Sequence, residues 1–174
     1  VDGDEKMILG LLWLIFQKYS LFTIETGDGK TSKSGKSGLL VWVRESAVNQ
    51  EETKTRGHNF TSDWTDGLLL SSILNRYRPH KYNFTTEKNK NPASRLKAAL
   101  AFAESEFGVK QILSPVDFER PDKNDMLMYV AQLYHGIQKV EAQREADEAK
   151  NISALNLKHA NALSELQEVS KVDK

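Results

Sequence analysis

Apolar positions recur at helical spacing over most of the chain. From Met7 to Phe16 the run Met-Ile-Leu-Gly-Leu-Leu-Trp-Leu-Ile-Phe is apolar around the whole helical circumference. Ile8, Leu12, Ile15 and Tyr19 form one stripe, and Leu11, Leu14 and Lys18 form another. A helix with no polar side must be covered on several sides. The pattern therefore predicts a helix over Lys6 to Phe22 that packs into a neighbouring domain, with the chain beginning inside that domain.

Further helices follow from the same periodicity and from their end signals. Leu39, Leu40, Val43 and Ala47 place a helix over Gly38 to Val48, with Arg44 and Glu45 facing outward. A second, Leu68 to Arg76, is opened by Trp64-Thr-Asp-Gly67 and closed at Arg78-Pro79. Asn91 before Pro92 is a cap and first-turn pair for a third helix that ends near Gly108. Ser114-Pro-Val-Asp117 has capping-box spacing for one short turn. Pro121-Asp122 starts a helix whose apolar residues are Met126, Met128, Tyr129, Leu133, Tyr134 and Ile137. No segment alternates as a half-buried strand would. The expected fold class is all-α.

Beyond Lys139 the composition turns to Glu, Ala, Lys, Asn and Gln, without Pro or Gly. Ile152, His159 and Leu166 fall seven residues apart, as do Leu155, Ala162 and Val169. Two readings fit: a coiled coil or rod that starts here, or a solvated helical tail that frays without a partner.

Composition narrows the classes of function. The chain of 174 residues has 24 basic and 24 acidic residues, so no overwhelming positive field marks a nucleic-acid binder. It has no cysteine, which excludes disulfides and thiol chemistry. The sequons at Asn59, Asn83 and Asn151 are short enough to arise by chance. The Met7–Phe16 run is shorter than the roughly 20 residues that span a bilayer, and acidic residues rather than basic ones precede it.

Gly27-Asp-Gly-Lys-Thr-Ser-Lys-Ser-Gly-Lys-Ser37 has the composition of a phosphate-binding loop but not its spacing. The G-x-x-x-x-G-K-[ST] pattern would need a glycine where Lys30 or Ile24 stands. Gly, Ser, Thr and Lys together describe a solvated tether. The four histidines, His58, His80, His135 and His159, lack H-E-x-x-H spacing, and no G-x-S-x-G elbow occurs. Asp2-Gly-Asp4 and Asp28-Gly29 lack the ligand spacing of a calcium loop. No catalytic residue, metal ligand or cofactor site is expected.

Asp63-Trp-Thr-Asp-Gly-Leu-Leu-Leu-Ser-Ser-Ile-Leu74, Tyr77-Arg-Pro79 and Arg120-Pro-Asp-Lys-Asn-Asp-Met-Leu-Met-Tyr-Val-Ala-Gln-Leu-Tyr134 together resemble the calponin-homology fold. The resemblance is to the second such domain of the tandem actin-binding domains in α-actinin and filamin. Lys6-x-x-Leu-Gly-x-x-Trp13 is similar to the start of the last helix of the first domain. The implied organisation is a first-domain helix over 1–26, a linker over 27–37, the second domain over 38–140 and a tail or rod over 141–174. Within the motif, Trp64 is expected to bury its ring, Asp66 to cap the helix that Gly67 opens, and Leu68, Leu69 and Ile73 to face the core.

The resemblance implies a module that binds filamentous actin, catalyses nothing and works in the cytoplasm on the actin cytoskeleton; with only the last helix of the first domain represented, it is a partial actin-binding domain, expected to bind weakly or not at all by itself. By position, it makes Lys6, Leu9, Leu12, Phe16 and Lys18 of the first helix and Trp42 and Arg44 of the next the candidate actin contacts. Read from the residues alone, any single one of Leu9, Leu12 and Phe16 is more readily a packing residue of the missing first domain. Exposed apolar surface of this kind also favours a homodimer through the first helix or the tail. A second implication is phosphoinositide binding before the Trp-x-Asp-Gly motif. Lys54, Arg56 and His58 occupy that region, beside Glu51 and Glu52 and without the aromatic expected nearby.

Overall fold

The computed structural model describes residues 2–21, 24–26, 33–47 and 50–172, with side chains described within 7–164 except Gln17, Glu25, Thr26 and Lys33. The chain forms two compact units, Val1–Ile137 and Gln138–Lys174.

The first unit opens with α1, Asp2–Phe16, followed by a π-helical turn, Gln17–Leu21. Strands β1, Glu25–Thr26, and β2, Lys33–Ser34, pair antiparallel, with Glu25 opposite Ser34. Then come α2, Gly35–Ala47; α3, Leu68–Tyr77; α4, Phe84–Lys88; α5, Pro92–Phe107; and α6, Lys123–Val172. Short 3₁₀ turns lie at Glu51–Thr53, Ser62–Trp64 and Pro115–Phe118. The all-α expectation holds. The strands differ from it in detail, because two residues per strand are too few to show an alternating pattern. Of the expected tether over 27–37, residues 27–32 lie outside the described residues. Gly35, Lys36 and Ser37 form the first turn of α2, which begins three residues earlier than expected.

Helix α3 sits in the middle of this unit, packed against α2, α4 and α5. Leu69, Leu70, Ile73 and Leu74 are fully buried on one face of it, and Ser71 and Ser72 are buried beside them. Leu39, Trp42 and Val43 of α2 contribute to the same core. So do Leu96, Ala99, Leu100 and Ala103 of α5, and Met126, Val130, Leu133 and Ile137 of α6. Each large aliphatic side chain buried in this way stabilises by about 1.5–3 kcal/mol.

The buried polar groups of α3 are paired. Ser72 Oγ donates to Ala47 O (3.2 Å) and accepts from Thr53 Oγ1 (3.1 Å), while Thr53 Oγ1 also reaches Ala47 O at 2.7 Å. These bonds tie the end of α2 and the following turn to α3. Ser71 Oγ lies 3.0 Å from the Tyr82 hydroxyl.

The end signals read from the sequence are the ones used. Asn91 Oδ1 accepts from Ser94 N (2.8 Å), and α5 ends at Gly108. Asp117 Oδ2 accepts from Ser114 N at 2.7 Å. Gly67 precedes α3 with φ +72°, and a Cβ there would stand 2.8 Å from the Leu96 side chain. At Gly136 a Cβ would come within 2.7 Å of Phe107 O, so its missing side chain lets α6 pass close to the end of α5.

In the second unit, residues 138–172 are helical, and the described side chains from 142 to 164 are exposed. Arg144 lies 3.1 Å from Glu141 and 3.5 Å from Glu148, pairs one turn apart that support a solvated helix. Ile152, Leu155, Leu157 and Leu163 are all more than half exposed.

Candidate functional site

The Trp-x-Asp-Gly segment organises the loop before α3. Trp64 is fully buried, and its indole Nε1 donates to Asn59 O at 2.9 Å. Asp63 Oδ2 accepts from the amides of Gly57 and His58, both at 2.9 Å. Asp66 Oδ1 accepts from Leu68 N (3.0 Å), capping the first turn of α3 as expected, and from Arg56 Nη1 at 2.6 Å. Leu68 is half-buried at the rim, so the apolar face of α3 centres one residue later.

A residue that sequence reasoning passed over completes this loop. Arg95 is 5% exposed, and its guanidinium donates to four backbone carbonyls. They are Glu87 O (3.0 Å), Asp66 O (2.5 Å), Lys88 O (2.7 Å) and Lys90 O (2.6 Å). It thereby joins the loop before α3 to the end of α4. Periodicity gave no signal, because a lone arginine in a helix reads as an outward charge.

The candidate lipid-binding residues are committed within the fold. Lys54 pairs with Glu51, and Arg56 is held by Asp66 and lies 3.4 Å from Asp63 O. His58 is exposed, with its backbone amide on Asp63. These positions do not converge on a shared cationic site.

The candidate partner surface separates into exposed and interior residues. On α1, Leu9 is 65% and Leu12 56% exposed, within a set that includes Met7, Ile8, Leu11 and Leu14. Phe16 is half-buried, its ring 5.4 Å from that of Trp13. Lys18 is exposed, with Nζ 5.8 Å from the centre of the Tyr19 ring. The Lys6 side chain lies outside the described residues.

On α2, Trp42 is an interior residue rather than a surface one. It is 4% exposed, donates to Tyr77 OH at 2.9 Å and packs edge-on against Tyr134. Arg44 is half-buried and donates to Gly57 O at 3.2 Å. Of the two, only Arg44 offers surface to a partner.

The turn after α1 is fastened to the rest of the first unit. Leu21 and Ile24 are buried, Gly35 N donates to Ile24 O at 3.1 Å, and His135 Nε2 lies 2.8 Å from Ser20 O. An exposed apolar helix is thus carried on a firm base. An exposed apolar strip with the basic Lys18 just beyond it suits an acidic protein surface that contains a hydrophobic cleft.

Hydrogen bonds from the Ser114 amide and hydroxyl hold the Asp117 carboxyl below its usual range, and Lys88 does the same for Glu52. Burial pushes the Tyr82 hydroxyl up to about 12 and raises that of Tyr129 as well. Among the described residues no cluster of three His, Asp or Glu side chains could hold a metal ion, and no helix is long and apolar enough to cross a membrane.

Comparison with known proteins agrees with this architecture. The family model of the calponin homology (CH) domain matches residues 33–139. The chain is 31% identical over 176 residues to human spectrin beta chain, non-erythrocytic 4, covering 99% of this chain and 6% of that protein. It is 31% identical over 144 residues to the erythrocytic spectrin beta chain of Mus musculus, covering 80% of this chain and 7% of that one. With cortexillin-1 of Dictyostelium discoideum it shares 29% over 173 residues, covering 98% of this chain and 38% of that protein. The chain therefore spans only a minor part of the length of the curated relatives it matches.

Proposed function

Because the chain belongs to the calponin homology family, we propose that it is a non-catalytic actin-filament-binding module of a cytoskeletal crosslinking protein, acting in the cytoplasm on the actin cytoskeleton. The observation that carries this reading is the strip of Leu9 and Leu12 on α1, exposed to solvent yet anchored through Leu21, Ile24 and Ser20. Lys18, just beyond α1, adds an exposed positive charge, and Arg44 of α2 a half-buried one. In the finer form of the proposal, residues 38–140 are the second domain of a tandem and α1 is the last helix of the first. The named relatives are spectrin beta chains and a cortexillin, so the tandem reading is kept without choosing an α-actinin or a filamin as parent.

Co-sedimentation with actin filaments at physiological salt tests it. The double substitution Leu9→Glu with Leu12→Glu is expected to weaken binding by at least about thirtyfold, the size of one interface hot spot. Unchanged circular dichroism would show that the fold survives. Equal pelleting of both proteins, or no pelleting of the unaltered chain at any filament concentration, would refute the assignment. Self-association through the same face predicts instead a dimer in sedimentation that these substitutions dissolve.

A further inference from the structure

Two lysines distant in sequence meet at the surface of the first unit. Lys36 stands in the first turn of α2 and Lys123 at the start of α6. Both line the same two cavities, close enough for the charge of Lys123 to act on Lys36. Among the described residues neither has a carboxylate within ion-pair distance. Partial burial, and then the neighbouring ammonium, lower the Lys36 pKa below that of an ordinary lysine. Two like charges held together in this way destabilise the fold unless something negative lies between them.

Open volume surrounds the pair. On one side a cavity of about 410 Å³ is lined by both lysines with Trp13, Leu21, Asn124 and Leu127. A second, of about 300 Å³, shares the lysines and is lined also by Leu40, His58 and Phe60. The larger has the size of a small-molecule site, mostly apolar with a few convergent polar groups.

We propose that Lys36 and Lys123 bind the dianionic phosphate of a small phosphomonoester, whose organic body lies against Trp13, Leu21 and Leu127. A dianion neutralises both ammonium groups at once, whereas a single carboxylate leaves one charge unopposed. Asn124 supplies an amide that can donate to a further phosphate oxygen. The site is not a nucleotide loop, since it joins the starts of two helices 87 positions apart and not one glycine-rich turn (123 − 36).

Thermal melts at constant ionic strength test this, with phenyl phosphate as probe, sulfate-free chloride as control, and the variants Lys36→Gln, Lys123→Gln and the double change. The unaltered chain should show a saturable rise of about 3–6 °C at ten times the dissociation constant. The double variant should lose at least about tenfold in affinity, and Lys123→Arg should retain it. Both glutamine variants should melt at or above the unaltered chain without phosphate, since the repulsion is gone. Flotation on vesicles of neutral lipid with and without phosphatidic acid separates the sources. Binding to the vesicles alone, lost in the double variant, assigns a lipid headgroup; a response to phenyl phosphate alone assigns a soluble ester. No saturable response in either arm, or the same response in the double variant, overturns the proposal.

Discussion

Arg95 is the residue whose removal tests the account of the fold most sharply. Its guanidinium is 5% exposed and gives four hydrogen bonds to carbonyls on the loop before α3 and around the end of α4. Arg95→Met keeps the aliphatic stem and removes every donor. Glu87 O keeps the amide of Lys90 at 3.1 Å, but Asp66, Lys88 and Lys90 each lose a charged donor. Hydrogen bonds to a charged group are worth about 1.5–3 kcal/mol each, so four give about 6 kcal/mol at the low end. Against this stands the penalty of several kcal/mol for desolvating the guanidinium, which the substitution relieves.

The expected net loss is about 3 kcal/mol, a large part of the 5–15 kcal/mol typical of a folded protein. Urea unfolding followed by tryptophan fluorescence reads this through the buried Trp64 and Trp42. With a slope near 2 kcal/mol per molar, the midpoint should fall by about 1.5 M. Arg95→Lys should recover less than half of the loss, because one ammonium cannot reach carbonyls spread around a planar fork. A midpoint shift under about 0.5 M for the methionine variant would show that the four bonds are replaced by water at no cost, and the argument would fail.

Other outcomes follow from single positions. Gly67→Ala should cost about 2–3 kcal/mol, from a left-handed backbone and a Cβ 2.8 Å from Leu96; a smaller loss by urea titration would mean that Leu96 gives way freely. The Tyr82 hydroxyl is raised from 10.0 to about 12 by burial, so the folded chain holds the proton more tightly than the unfolded one. That stabilisation is full below pH 10 and disappears as pH rises through 12. Tyr129 acts in the same direction. Alkaline unfolding should therefore begin above pH 10, and Tyr82→Phe should move its onset upward; an onset unmoved by that change would remove Tyr82 from the explanation.

The readable elements were those whose signals are local. Asn91 before Pro92, and Ser114 spaced from Asp117, are contacts within one turn, so spacing sufficed to place them. Helix α4 escaped because five residues carry no period, although Asn83 Oδ1 caps it through Thr86 N at 3.0 Å. Among the candidate contacts, the all-round apolar pattern of α1 is legible in the sequence, and Leu9 and Leu12 are exposed in the structure. Trp42 belongs instead to the interior, because its depth depends on Tyr77 and Tyr134, 35 and 92 positions away (77 − 42, 134 − 42).

By itself the sequence determined the longer helices, the caps at Asn91 and Ser114, and the Trp64–Asp66–Gly67 turn, since each depends on neighbours a few residues apart whose geometry the backbone imposes. Only the tertiary structure decided the rest. It turned Arg95 inward onto four carbonyls, seated His135 against Ser20 and brought Lys36 to Lys123. Those contacts join segments that no periodicity relates, and burial and charge act on distances in space that the order of residues along the chain does not contain.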